Sequence, residues 1–174
     1  MNNNAINDFK LSYLKSAFIS CGLTNCIFNA LCYYFMHRSA EPMDAAGFVI
    51  NACVTAFILS LISAAAGVPT VHGKYKKGKI PPLTYTRDTY LLMKFFPRGA
   101  KGQVFATAVV VTLIFIFVSS GLVILTGYAA KPIPVIPGTI IHGIQTGLMG
   151  TANMYFICVA RVSTLEEKRL AEAA

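Results

Sequence analysis

The stretch PGTIIHGIQTG (Pro137–Gly147) carries a histidine, a glutamine and three glycines inside a run, 132–160, that has no Asp, Glu, Lys or Arg. A charge-free run of this length exceeds the roughly 20 residues a helix needs to cross a bilayer. In lipid the backbone must satisfy its own hydrogen bonds, so such a run is read as a helix despite its polar residues. The polar residues then mark where interior contacts or chemistry lie.

Three other runs, 16–36, 45–73 and 102–130, are equally free of charge. The reading is an all-α, polytopic integral membrane protein with four transmembrane helices at about 14–36, 45–68, 103–128 and 137–160. The remaining segments are an N-terminal tail (1–13), a basic loop (69–102) and a C-terminal helix (161–174). They flank and join a first transmembrane hairpin (14–68) and a second (103–160). Composition agrees, since 55% of the 174 residues are hydrophobic and 13% charged. A soluble domain carries about a quarter charged residues.

Of the fifteen Lys and Arg residues, only Arg38 and Lys131 fall in the first and third connections; the rest lie in the tails and the middle loop. The positive-inside rule therefore places both termini and the middle loop in the cytoplasm, an N-in/C-in protein; the membrane expected is the bacterial cytoplasmic one. The first apolar run is longer than a signal-peptide core and is read as a retained helix. Eight cations of the loop, Lys74, Lys76, Lys77, Lys79, Arg87, Lys94, Arg98 and Lys101, are read as contacts to anionic lipid at the cytoplasmic face. The net charge of +8 has no polar folded domain to present it, which argues against nucleic acid. HGKYKKGKIPP is expected to be non-helical. TRDTYLLMKFFPRG is expected to form an interfacial helix from Thr86, ended by Pro97. Ser163 and Glu166 have capping-box spacing, predicting a short solvated helix after the fourth span.

The second and fourth spans align without a gap at an offset of 91, Gly47-Phe-Val-Ile-Asn51 against Gly138-Thr-Ile-Ile-His142. The same offset carries 16–36 onto 107–127. We read two copies of one hairpin, related by an axis along the membrane normal. The repeated hairpin, with Pro42-Met43-Asp44 opening its second helix, resembles a set of small bacterial four-helix membrane proteins. That resemblance implies an architecture and no activity.

At 100° per residue, His142, Gln145, Met149 and Asn153 share a face within about 80°. Gly143, Gly147 and Gly150 form a second stripe, which predicts close helix packing within the chain or in a homodimer. Asn51 matches His142 in the first copy, and Asn25 and Asn29 lie in span one. Six residues, Asn25, Asn29, Asn51, His142, Gln145 and Asn153, are thus candidates to line a polar cavity opening outward. The function expected is a small transporter or channel. The alternative is a non-catalytic scaffold or accessory subunit in which they only fix packing. There is no HExxH, GxSxG, P-loop or paired carboxylate, so neither catalysis nor a cofactor is expected. The five cysteines lack metal-ligand spacing, so no metal is expected.

Overall fold

In a computed structural model, which describes residues 12–81 and 91–173, the chain is all helical apart from its connections. Helix α1 spans Ser12–His37 and contains a π turn at Phe18–Gly22. Helix α2 is Ala45–Lys76, α3 is Leu91–Lys94, α4 is Ala100–Leu125 and α5 is Val135–Ala173. Three of these, α1, α2 and α4, are long and apolar enough to cross a membrane. The four-span expectation rests, for its last member, on α5, whose polar and glycine residues keep it out of that set.

Local chemistry explains the helix ends. Asp44 caps α2, its carboxylate accepting from the Gly47 N–H at 2.6 Å. Gly127, at φ 78°, ends α4: its N–H bonds the Ile124 carbonyl and the Tyr128 N–H bonds that of Val123. Gly78, at φ 67°, closes α2 in the same way.

Two expectations are corrected here. HGKYK (72–76) is not a loop, because α2 continues through Pro69 to Lys76. An interior proline costs about 3 kcal/mol. Tertiary contacts offset it: Val68 and Val71 pack on Ile157 and Val162 of α5, and Tyr75 reaches Glu166. Likewise Ser163 and Glu166 do not cap a helix. They lie in the middle of α5, where the Ser163 hydroxyl donates to the Ala160 carbonyl. Glu166 is buried rather than solvated.

Helix α5 is the centre of the bundle. Helix α1 packs on it, α2 packs on both α4 and α5, and α4 also touches α5. The least apolar long helix is therefore the most enclosed. Phe28, Ile50, Ile58, Ile62 and Phe117 of the other helices face outward. This arrangement suits a lipid surround, where small and polar residues mediate helix contacts and apolar ones meet the solvent. At the end remote from the basic residues, Met43 and Ile133 exchange two backbone hydrogen bonds, of 3.2 and 2.7 Å. This bridge ties the two turns together.

Of the expected interfacial helix, Thr86, Arg87 and Tyr90 lie outside the described residues. The described part, α3, does not simply lie on a surface. Met93 and, just past the end of α3, Phe96 are buried against Val159 and Ala160, while Phe95 is exposed. The described loop cations, Lys74, Lys76, Lys77, Lys79, Lys94, Arg98 and Lys101, are all exposed.

Candidate functional site

The glycine stripe of α5 meets α1. A Cβ on Gly143 would stand 3.1 Å from the Cys26 carbonyl oxygen, one on Gly147 3.1 Å from that of Gly22, and one on Gly150 3.2 Å from that of Cys21. Only glycine allows this approach, and its partner is within the chain.

The other stripe of α5 forms a file of buried polar side chains. At the end remote from the basic residues, His142 is 4% exposed. Its ring sits 4.9 Å from Tyr33 and 6.3 Å from Phe48, centroid to centroid. One turn further along, the Gln145 amide donates to the Ser119 hydroxyl, which itself donates to the Phe115 carbonyl. Next comes an apolar plug of Ala56, Val111, Phe115 and Met149. Beyond the plug, the Asn153 amide reaches the Ser60 carbonyl at 3.4 Å. Gln103 of α4 then donates to the Thr164 hydroxyl at 2.9 Å and the Ala160 carbonyl at 3.3 Å. Thr107 is on the same face of α4, one turn from Gln103, and is fully buried.

The file is under-bonded. His142 Nδ1, Gln145 Oε1, Asn153 Oδ1, Ser60 Oγ, Thr107 Oγ1 and Gln103 Oε1 are all buried, and none has a hydrogen-bond partner. Each such group costs about 1–3 kcal/mol when left dry.

At the basic end the file reaches a hollow of about 750 Å³, which Thr164 and Arg161 line together with His72, Arg98 and Lys76. Arg161 Nη2 donates to His72 Nδ1 at 3.0 Å. Since a guanidinium only donates, that imidazole nitrogen is the acceptor and carries no proton. Glu166 accepts from the Tyr75 hydroxyl and from Arg169 Nε and Nη2, at 3.0 and 2.9 Å for the arginine. The hydrogen bond and charge of Glu166 hold the Arg169 guanidinium above its usual range. Arg98 pairs with Glu167 at 2.7 Å.

Of the six residues expected to line one cavity, the structure therefore unites His142, Gln145 and Asn153 in the file. The other three turn to their own helices. Asn25 donates to the Cys21 carbonyl at 2.8 Å, Asn29 to the Asn25 carbonyl at 2.9 Å, and Asn51 accepts from Thr55 at 3.4 Å. No hydrogen bond joins Asn51 to His142. Tyr33 and Phe48 pack beside His142, and the hollow lies at the opposite end of the file.

Sequence reasoning missed Ser60, Gln103, Thr107 and Ser119 as members of the file. Among the described residues no group of three His, Cys, Asp or Glu side chains is placed to hold a metal ion. Compared with protein-family models, curated proteins and solved structures, the chain finds no match.

Proposed function

We propose that this chain is a four-helix transporter or channel that passes a small polar solute or ion along the file beside α5. The carrying observation is the set of six buried, unpartnered polar atoms between His142 and Gln103. A bundle needing only glue gains from satisfied amides and is weakened by orphaned ones. Groups with spare hydrogen-bonding capacity are what a passing water or solute requires. The Met149 plug makes the described state a closed one.

In this reading α5 is the fourth span, and the basic end, with both termini, faces the cytoplasm of a bacterium. The packing fits a duplicated hairpin in part only, since α4 touches α5 whereas α1 and α2 scarcely meet. Helix α1 sits on α5 while α4 sits on α2. A twofold relation between 16–36 with 45–68 and 107–127 with 137–160 requires this exchange. The Met43–Ile133 bridge falls where the two copies' turns coincide.

The scaffold reading draws on the plug and on the self-bonded Asn25, Asn29 and Asn51. Reconstitution separates the two. In proteoliposomes, release of glycerol, urea, potassium or chloride should exceed that of empty liposomes for at least one solute. Gln145→Leu should cut that flux about tenfold, while thermal stability shifts by less than about 1 kcal/mol because Ser119 keeps its Phe115 bond. Flux equal to that of empty liposomes for all four would refute conduction of these solute types and favour the scaffold.

A further inference from the structure

We propose that the hollow at the basic end binds a phosphate-bearing anion, with Arg161 as its anchor. This inference stands apart from conduction and would survive its failure.

Five Lys and Arg side chains line the hollow against two carboxylates. Counting Glu166 beside it still leaves the cations in excess. Most of these charges are already committed. Arg98 is on Glu167, Lys168 lies 3.6 Å from Glu172, and Arg169 is on Glu166. These pairs neutralise the acidic side chains and fix the rim. Arg161 and Lys76 differ, for neither has a carboxylate partner among the described residues. Among the described residues Arg161 donates to the uncharged acceptor nitrogen of His72, and its Nε is buried with no partner.

A half-buried guanidinium that no carboxylate neutralises attracts an anion. Its planar fork matches phosphate oxygens two at a time. Position adds to this. Arg161 is the first charged residue after the charge-free run 132–160, which in the four-span reading puts it level with the lipid headgroups. Lys76, near the end of α2, adds a second charge across the hollow. The phosphate could belong to a phospholipid headgroup or to a soluble anion, and the test separates the two.

Full-length protein in a neutral maltoside detergent is titrated with pyrophosphate by calorimetry, with sodium chloride at matched ionic strength as reference. In parallel, native mass spectrometry scores retention of phosphatidylglycerol against phosphatidylcholine. The expected result is saturable binding in at least one arm. There Arg161→Gln weakens binding about tenfold or more and Arg161→Lys weakens it less, because the charge stays but the fork is lost. Lys79→Gln, which removes an exposed charge outside the hollow, changes it less than about twofold. Pyrophosphate binding alone identifies a soluble anion, and selective phosphatidylglycerol retention alone a headgroup. If Arg161→Gln does not yield monodisperse protein, Lys76→Gln decides, with an expected loss of about threefold or more. Failure of both probes to bind, or equal losses from the hollow variant and Lys79→Gln, would overturn the site.

Discussion

Replacing Gly147 by alanine tests the seam on which the bundle depends. The new Cβ would lie 3.0 Å from the Cys26 Cβ and 3.1 Å from the Gly22 carbonyl oxygen. Ordinary carbon contacts are about 3.5–4.0 Å, so α1 must retreat by roughly half an ångström. The obstacles are a backbone oxygen and a Cβ, neither of which can rotate aside. The retreat also loosens the contacts of Gly143 and Gly150, one turn to either side. Overpacking of this kind costs about 1–3 kcal/mol, and a backbone obstacle puts Gly147→Ala in the upper half of that range. One retreat serves two alanines, so Gly143→Ala with Gly147→Ala should cost less than the sum of the singles, by about 1 kcal/mol. Gly121 is the control. A Cβ there meets nothing within 4 Å, and alanine gains up to about 1 kcal/mol of helix propensity. Reversible unfolding by titrated anionic detergent, followed by circular dichroism, measures all four variants. A Gly147→Ala protein as stable as Gly121→Ala would refute the seam.

Asn153→Leu should stabilise the fold by about 1 kcal/mol. It removes an orphaned amide oxygen and forfeits only a 3.4 Å bond to Ser60. In the same variant flux should fall, and a stabilised protein with full flux would take Asn153 out of the path. Tyr75→Phe should destabilise by about 1–3 kcal/mol, because the buried Glu166 carboxylate keeps only Arg169. Amide hydrogen exchange should then quicken at 70–76, and unchanged exchange there would show that Pro69, not Tyr75, governs the end of α2.

Much of this architecture is legible in the chain. The charge-free runs mark every long helix, α5 included, although hydropathy alone passes over α5. Its identity shows in the absence of charge between Lys131 and Arg161, not in apolarity. The two stripes of α5 follow from helical geometry, since glycine and amide positions repeat at different angles.

What was not legible depends on contacts between distant residues. Nothing local tells that lysines and a proline after Val68 continue a helix. That is decided by Tyr75 meeting Glu166, 91 positions away. Ser163 and Glu166 imitate a cap because the motif is short, and burial overrides it. Ser60 and Thr107 look like ordinary small residues of apolar helices. Only the crossing of α2 and α4 with α5 shows that their hydroxyls are buried without partners.

Conduction along α5 requires that water and polar solute enter the file. A chain with its five cysteines replaced can carry single cysteines at 103, 145 and 153, and at 58 and 144 as references. Ile58 and Ile144 are about half exposed on the outer surface, 50% and 46%. A hydrophilic, thiolate-seeking reagent applied to both faces of native membranes reads water access directly. The account predicts reaction at 103, 145 and 153 about tenfold or more faster than at 58 and 144, since thiolate forms only where water reaches. Rates at the file positions no faster than at the two references would mean a dry, sealed bundle and would contradict conduction along α5.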